Sequence, residues 1–439
     1  MANRRGSGAR NNRQKFQNAT IQKAIIISNS TGKEVDMREC VNMEYSESIY
    51  DDTIRVGFEV SNVAGTIDDK TLLEGLPLVG TEDFELIFID GDGNKINVNL
   101  IVNNVTVVTK DNQKENLLLS LVSEEVIRNE SEGNAVRIRH DGKISNSVKD
   151  IFKNNLQTEK QLFIETTSNN FNFVGNKRKP MYMINWLSKK SIPIQNGKQG
   201  ETAGYLFFET SLGYYYQSID TLFAQDQKKS YGFFGQADTP VGYDGNIINL
   251  EVDNRFEAES KLRSGTYNTK LILFDPFNCK YDEISEGAKN EGTTNAGIGL
   301  PIINKKFNRT PTRTTFMLRD TGVLPTGDVG EQLKKNDEEI FEVANILNQA
   351  IRRYSQFSIG AVQIDIFGDF SLHAGDIVFI DSPSTDQGNE VTTDKLIGGK
   401  YLIAAVKHVI RAGQCQTRLG LVRDSIGRKG KPHSGSMVN

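Results

Sequence analysis

Cysteine and histidine, which supply most metal sites, are scarce in this chain. Three cysteines (Cys40, Cys279 and Cys415) and four histidines are scattered over 439 residues, and no Cys-x-x-Cys pair occurs. An odd number of distant cysteines indicates neither a disulfide framework nor a zinc knuckle. We therefore expect a protein that folds in a reducing compartment and binds no metal or other cofactor.

Long apolar runs are missing as well. No stretch reaches the roughly 18 apolar residues that a membrane-spanning helix needs. The apolar run at residues 24–27 follows a basic segment but is shorter than the roughly 7–15 residues of a signal-peptide core. We expect no membrane insertion.

Neither sign of charge is in large excess. The chain has 52 Lys and Arg residues against 56 Asp and Glu residues, which gives a net charge of −4. This balance excludes a generally basic nucleic-acid-binding protein, because such proteins carry an excess of cations for phosphate contacts. The two ends, residues 1–19 and 425–439, are basic and poor in apolar residues, so we predict a flexible arm and a flexible tail.

The residues that are present predict a mainly β protein of several domains. Hydrophobic residues make up 37% of the chain, and a single core rarely grows beyond roughly 250–300 residues, so we expect two to four domains. Apolar and polar residues alternate at residues 54–60, 84–88 and 95–100, as is typical of half-buried antiparallel strands. Residues 90–94, Asp-Gly-Asp-Gly-Asn, predict a hairpin turn between two of them.

Helical spacing occurs in a few places. Apolar residues recur along one face from Ile144 to Leu156, with Asp141 or Ser145 as candidate caps, and residues 181–187 predict a second helix. A longer stripe from Leu333 to Tyr354 predicts a packed helix. This stripe includes Leu347 and Ile351, and Leu347→Asp should destabilise the fold. Residues 287–299 predict a mobile loop.

The two β-rich ends of the chain echo each other. The matched pairs are residues 86–90 with 377–381, and residues 119–124 with 419–424. Two copies of one domain would explain the echo, in which case residues 84–124 and 376–424 should share one strand order. The alternative is two unrelated β-domains, since strands of any origin favour Val, Ile and Leu.

Tests for catalytic and ligand-binding motifs fail. Residues 90–94 begin like a calcium loop, but Lys95 stands where glycine is needed and Ile101 stands where the bidentate glutamate is needed. Neither a phosphate loop nor a Gly-x-Ser-x-Gly elbow occurs. His373 lies near Asp376 without a nucleophile beside it, so we predict a turn or surface histidine, and we predict that His408 lies on a sheet face.

Two further groups of residues are candidate sites. Paired carboxylates are predicted to be solvated or helix-start charges; they are Asp51–Asp52, Glu124–Glu125 and Glu338–Glu339. An aromatic cluster could stack on bases or sugars, but no Lys or Arg interleaves it, and a core or a subunit interface is the favoured interpretation. Its members are Tyr205, Phe207, Phe208, Tyr214, Tyr215 and Tyr216.

Several segments in order along the chain resemble the baseplate hub proteins of contractile-tailed phages and the related hub region of type VI secretion spike proteins. They are residues 76–82, 123–125, 204–210, 213–214, 218–222, 264–267, 274–275, 375–376, 399–408 and 415–424. The likeness runs from about residue 20 to 425, and each segment is short. The basic arm and the 287–299 loop do not belong to the pattern.

The resemblance implies a trimeric ring to which each chain gives two similar antiparallel β-barrels of the tube type. The domains would be a first barrel at 20–125, a mixed α/β domain at 126–218, a second barrel at 219–254 and 355–424, and an insertion with the long helix at 255–354. Six barrels around a threefold axis would match a hexameric tail tube on one side and a trimeric spike on the other.

This resemblance implies a structural protein rather than an enzyme. Its partners would be further copies of itself, the central spike protein, the tail tube protein and neighbouring baseplate proteins. It would be located in the virion, in the tail baseplate, after assembly in the host cytoplasm, without specific nucleic-acid binding. Two alternatives stay open: a carbohydrate-active β-protein of a phage tail, marked by facing carboxylates in a cleft, and a nucleic-acid-binding protein that uses the basic ends.

Overall fold

The structure is a computed structural model of the chain. It describes residues 17–62, 75–76, 78–110, 115–195, 197–200, 202–234, 239–253, 258–276, 279–287, 296–299, 310–320, 322–324, 326–338, 343–357, 360–383 and 394–432. As predicted from the alternating pattern, the fold is mainly β.

The described residues up to 122 form mainly strands. These are β1 (Gln17–Ile27), β2 (Glu34–Asp36), β3 (Asn42–Ser48), β4 (Arg55–Asn62), β5 (Asp83–Asp90), β6 (Lys95–Lys110) and β7 (Glu115–Val122). Every second residue of β3 and β5 is buried, which is the period that the sequence showed. The predicted hairpin turn at residues 90–94 is confirmed, because the Asp90 carboxylate accepts the backbone N–H groups of Asp92 and Asn94.

The next segment mixes helices with short strands. Its elements are α1 (Glu124–Glu130), a 3-10 turn (Glu132–Asn134), β8 (Arg139–His140), α2 (Ile144–Asn154), β9 (Leu162–Ile164), β10 (Phe173–Val174), α3 (Pro180–Ser188), β11 (Ile194–Gln195), β12 (Lys198–Gln199), β13 (Tyr205–Thr210), β14 (Gly213–Ser218) and α4 (Ile219–Ala224). Helices α2 and α3 confirm two predictions. The predicted caps of α2 are wrong, because Lys143 precedes the helix and the Thr167 hydroxyl accepts the Ser145 N–H at 3.0 Å.

The C-terminal half returns to strands around a helical insertion. Its elements are β15 (Lys229–Gly232), β16 (Gly245–Asn246), β17 (Asn249–Asp253), α5 (Ala258–Ser264), β18 (Asn268–Asp275), β19 (Lys280–Gly287), β20 (Arg313–Leu318), α6 (Val329–Glu338), α7 (Val343–Gln356), β21 (Gly360–Phe367), β22 (Ile377–Asp381), β23 (Gly399–Arg411) and β24 (Gln414–Arg423). β18 lies between β19 and β20, and α7 packs against this small sheet.

The stripe predicted from Leu333 to Tyr354 is only partly correct. The structure describes two helices there, α6 and α7, and Leu333 on α6 is 55% exposed, so it lies on no packed stripe. Ala350 on α7 is buried against the core of the mixed segment. The side chain of Leu347 lies outside the described residues.

Eight strands close the first barrel in the order β1–β5–β6–β7–β4–β3–β23–β24 and back to β1. Its core includes Phe58, Phe84 and Phe88, all less than 2% exposed, with Phe370 from the loop before β22 packed on Phe88. The barrel therefore needs the C-terminal hairpin of β23 and β24 to close.

The second barrel uses the same hairpin. Its strands follow in the order β15–β22–β23–β24–β21–β17, and the chain closes it at one end, where Ile247 donates to Gly232 and Ile248 donates to Asp365. Its core includes Val378, Tyr401 and Leu419. Because β23 and β24 belong to both barrels, the two barrels are fused through shared strands rather than through a linker.

The echoing segments share one strand order. Residues 84–124 form the antiparallel series β5–β6–β7, and residues 376–424 form the antiparallel series β22–β23–β24. One pairing differs, since β1 runs antiparallel to β5 whereas β15 runs parallel to β22. The agreement inside the two segments is what a duplicated domain requires.

Parts of the predicted loop and tail are held in place. In the 287–299 segment, Ala296 is 3% exposed and Gly299 pairs with Ile426. In the tail, the Arg428 guanidinium makes two hydrogen bonds, at 2.8 and 2.7 Å, to the buried carboxylate of Asp381. Residues 1–16, 288–295 and 433–439 lie outside the described residues.

Candidate functional site: polar joints between the domains

A buried carboxylate ties three parts of the chain together at the end of β3. Glu47 Oε1 accepts the Tyr45 hydroxyl at 2.6 Å and the Ser211 N–H at 2.9 Å, and His373 Nδ1 lies 3.2 Å away. Glu47 Oε2 accepts the Ala374 N–H at 3.0 Å. Since Ser211 is in the β13–β14 turn and His373 is in the loop before β22, this Glu47 joint holds the first barrel, the mixed segment and the second barrel in contact.

The surroundings of the Glu47 carboxylate favour its charged form although it is buried. Burial by itself raises the pKa of Glu47, but the hydrogen bond and charge of His373, together with hydrogen bonds from Tyr45 and Ser211, outweigh it, and the net pKa is lowered. Burial, followed by the Glu47 charge, raises the pKa of Tyr45 well above its ordinary value. His408 stacks on Tyr45, and burial lowers its pKa to about 4, so this histidine is neutral at physiological pH.

His373 does not have the surroundings of a catalytic histidine. Ser211 Oγ lies 3.5 Å from Nδ1, the same nitrogen that faces Glu47, whereas in a catalytic triad the acid and the nucleophile contact opposite ring nitrogens. Asp376 accepts the His373 backbone N–H and pairs with Lys228, both at 2.8 Å. The prediction of a turn or surface histidine is correct for the turn, since the Asp376 N–H donates to the His373 carbonyl at 3.2 Å. It is wrong for the surface, because the loop folds inward over β3 and leaves His373 only 8% exposed.

A lysine between two buried glutamates forms a second joint. Lys160 Nζ lies 2.7 Å from both Glu125 Oε2 and Glu209 Oε1. The other oxygen of Glu209 accepts the Ser123 hydroxyl at 2.6 Å and the Ile54 N–H at 3.0 Å. Because Ser123 follows β7 and Ile54 precedes β4, this Lys160 joint fixes the β13–β14 hairpin against the first barrel.

The two carboxylates of the Lys160 joint differ in pKa. Burial raises the pKa of Glu125, but the charge and hydrogen bond of Lys160 prevail and the net pKa is lowered. For Glu209 burial prevails and the pKa is raised, although Lys160 opposes it. Glycosidase carboxylates face each other across an open cleft. These two instead face an ammonium group in the interior, which disfavours the carbohydrate-active alternative.

Arg353 on α7 forms a third joint. Its guanidinium donates to Asp220 on α4 at 2.7 Å and to Asp424 just after β24. The Asp424 carboxylate also accepts the Ala296 N–H at 2.9 Å. The Arg353 joint therefore ties the helical insertion to both the mixed segment and the end of the shared hairpin.

Asp90 and His408, two candidate residues of the sequence, have structural partners. Asp90 accepts the Phe370 N–H at 2.9 Å in addition to its own turn, so its oxygens are used by backbone donors. Within the described residues no group of three or more His, Cys, Asp or Glu side chains is arranged for a metal ion. His408 lies on the inward face of β23 with Nδ1 2.8 Å from the Thr417 hydroxyl, as a sheet-face residue would.

The acidic pairs of the sequence differ in their burial. Glu124 and Glu125 start α1 as predicted, but Glu125 is not solvated, since only 3% of it is exposed. Asp52 is half-buried, accepts the Asn185 amide at 2.7 Å, and has a pKa raised by burial. The side chains of Glu338 and Glu339 lie outside the described residues.

Five of the six residues of the aromatic cluster lie in the core, as the favoured interpretation predicted, and the sixth, Tyr215, is half-buried. Tyr205, Phe207, Tyr214 and Tyr216 point into the core of the mixed segment, and Phe208 points into the core shared with the second barrel. All five are at most 2% exposed in the isolated chain, so they cannot form a sugar platform.

No helix within the described part of the chain is long and apolar enough to cross a bilayer. No family model and no curated relative matches the chain. Solved structures do match. One is the 43 kDa tail protein of prophage MuSo2 from Shewanella oneidensis, at a TM-score of 0.52 and 10% identity, covering 92% of this chain and 100% of that one. The chain has the fold of a phage tail protein.

Other solved structures that match are also tail or secretion proteins. The tail protein from Neisseria meningitidis MC58 has a TM-score of 0.49 and 11% identity, covering 93% of this chain and 97% of that one. A component of the type VI secretion system of E. coli has a TM-score of 0.41 and 8% identity, covering 94% of this chain and 80% of that one.

Sequence reasoning missed the residues of the joints, and a local signal marks only some of them. Glu47 and Glu209 sit at inward positions of strands in which their inward neighbours are apolar or aromatic. A charge at such a position is buried at a high cost unless it is paired. Lys160 and Arg353 carry no such mark, because one lies in a loop and the other on a helix rich in polar residues.

Proposed function

We propose that this chain is the baseplate hub of a contractile phage tail. Three copies form a ring that adapts the hexameric tail tube to the trimeric central spike. The observation that carries the proposal is the internal duplication: both barrels contain the same antiparallel series of three strands, flanked by an antiparallel fourth strand, β4 or β21. Three chains with two such barrels each present six similar units around one axis.

The joints support a mechanical role. A hub must transmit load between the tube and the spike without the barrels shifting relative to each other. Shared strands and the Glu47, Lys160 and Arg353 joints hold the two barrels and the mixed segment as one unit. The proposed place of work is the tail baseplate of the virion, after assembly in the host cytoplasm, beside neighbouring baseplate proteins.

Electron microscopy of the purified protein tests this proposal. The expected particle is a ring with threefold symmetry, six barrel-sized lobes and an open centre. The same sample mixed with purified tail tube protein should show the ring at tube ends. Rings with another symmetry, or particles without a central opening in the presence of both tube and spike, would contradict it.

A further inference from the structure

The two barrels are built from equivalent strands in the same chain order. β3, β4, β5, β6 and β7 of the first barrel correspond to β17, β21, β22, β23 and β24 of the second. Both hairpins carry a β-bulge at the same place. In the β6–β7 hairpin the pairing register shifts between Val102 and Asn104, and Asn104 is opposite Ser120. In the β23–β24 hairpin it shifts between Ile403 and Ala405, and Ala405 is opposite Gly420. The bulge fixes the equivalence as far as Val107. A second register shift in β6, between Val107 and Thr109, has no counterpart in β23, so beyond that point the equivalence follows from the residues opposite on β7 and β24.

Beyond the bulge the two hairpins meet different surroundings. In β23, residues 405–411 leave the second barrel and pair antiparallel with β3 of the first barrel, on the edge of β3 that β4 does not use. The second repeat thus supplies the strands that close the barrel of the first repeat. Tyr45 of β3 pairs with His408, and Glu44 pairs with Val409.

The equivalent part of β6 has no such neighbour. β5 pairs with β6 only up to Ile101, and among the described residues β7 is the one strand that pairs with residues 104–110. Val107 and Val108 are 48% and 51% exposed. Residues 103–109, Asn-Asn-Val-Thr-Val-Val-Thr, carry no charge and have high β-propensity. Lys110 at the end of the strand is the one charge there, so this edge has few of the charges that usually prevent a strand from pairing with another chain.

The second barrel has the matching open edge. β17 is the equivalent of β3, and it is the last strand of its sheet: among the described residues only β21 pairs with it. The first barrel fills the corresponding edge of β3 with β23. Within the part of the chain that the structure describes, one copy thus offers a protruding strand without an acceptor and an acceptor without a strand.

We infer that residues 104–110 of one chain pair antiparallel with β17 of a second copy, so that each chain's β6–β7 hairpin extends the second barrel of its neighbour. The inference rests on the trimeric ring proposed above and names its junction. The contact is heterologous, because two different edges meet, and such a contact closes into a ring when the rotation between neighbouring chains is one third of a turn. Inside the chain and between chains, every barrel then receives a hairpin from the next repeat.

The duplication also sets the register. Thr109 is opposite Asn116, as Val409 is opposite Gln416, so Thr109 corresponds to Val409. Glu251 corresponds to Glu44. Glu44 pairs with Gly57 of β4, which pairs with Ser120 opposite the first bulge. Glu251 pairs with Gln363 of β21, which pairs with Gly420 opposite the second bulge. The Glu44–Val409 pair of the chain therefore predicts that Thr109 faces Glu251 of the second copy.

Cysteine cross-linking between separately purified chains tests this register. Thr109→Cys and Glu251→Cys are each made with Cys279→Ser, which removes the exposed native thiol. The two proteins are mixed, equilibrated and mildly oxidised. We expect a two-chain covalent band in the mixture that neither variant gives alone. The matched control replaces Glu251→Cys with Asn249→Cys, which is displaced by about 7 Å along the strand and out of disulfide range.

A second variant separates the junction from the fold. Val107→Lys places a charge on the exposed edge, and we expect the ring to dissociate at least tenfold more readily while the melting temperature of the separated chain stays unchanged. If the mixed chains form a particle with the mass of three chains but give no cross-link, the proposed junction is wrong and the hub proposal stands. Chains that stay monomeric with tube and spike present would overturn both.

Discussion

Glu47 and His373 are 326 residues apart in the chain, yet Glu47 Oε1 lies 3.2 Å from His373 Nδ1. The pair joins β3 of the first repeat to the loop that precedes β22 of the second. Its position shows that the histidine most suggestive of catalysis in the sequence lies in a contact between two domains. A buried carboxylate with four hydrogen-bonding partners fixes the approach of the domains, because Ser211, His373 and Ala374 all lose this partner if the domains separate.

Glu47→Gln should lower the free energy of unfolding by about 2–3 kcal/mol at neutral pH, since a charged acceptor is lost from a buried network. Because the folded pKa of Glu47 is lowered from 4.5, the contribution is present in full above that value and disappears as the pH falls below it. Urea unfolding at pH 7 and pH 4 measures both effects. The matched control is Glu85→Gln, a surface residue paired with Lys23, which should change stability by less than about 0.5 kcal/mol. Equal effects of the two substitutions at pH 7 would refute the joint.

His408 should make the protein less stable in mild acid. Its folded pKa of about 4 lies below the ordinary 6.5, so the unfolded chain takes up a proton that the folded chain refuses. Stability from this residue is therefore complete above pH 6.5 and declines toward pH 4, by up to about 1.4 kcal/mol per pH unit. His408→Leu should flatten that part of the stability curve, measured by melting temperature against pH. The control His140→Leu removes the other histidine whose pKa burial lowers. An unchanged slope in His408→Leu would contradict the prediction.

Lys160→Met should destabilise the fold by about 3–5 kcal/mol, because it leaves Glu125 and Glu209 buried without their cation. Adding Glu125→Gln to the same protein should recover part of the loss, since one of the two unpaired charges is then gone. Chemical denaturation of the single and double variants measures the coupling. Two strictly additive losses would show that Lys160 does not neutralise these carboxylates.

No hydrolytic activity should depend on the residues that the sequence offers as catalytic candidates. Alanine at His373, Asp376, His408 or both Asp51 and Asp52 is expected to lower stability or assembly, and those effects should follow the burial of each side chain. Tail assembly and infection assays measure this, with melting temperature as the control. Normally assembled tails that have lost an enzymatic activity would reinstate the carbohydrate-active alternative.

Much of the fold could be predicted from local patterns. The hairpin turn at residues 90–94, helix α2 and the buried aromatic hairpin follow from spacing alone, because each is decided by neighbours in the sequence. The echo between residues 84–124 and 376–424 also identified two segments with one strand order. The likeness to phage tail proteins is confirmed at the level of the fold.

The joints and the shared hairpin could not be predicted, and the reason is their range in the sequence. Whether Glu125 is solvated depends on Lys160, and whether His373 is exposed depends on Glu47, which is 326 residues away. Leu333 shows the opposite error, since a stripe drawn over residues 333–354 placed in the core a leucine that is exposed. Periodicity reports which face of an element is apolar, but not which element covers it.

The mass of the assembled protein in solution tests the central claim most directly. Sedimentation equilibrium over a range of concentrations should reach three times the 49.0 kDa of one chain, and with the purified spike bound the mass should be that of three chains plus the spike. The Val107→Lys variant should need a higher concentration to reach it. A stable dimer at every concentration, with or without the spike, would contradict the ring.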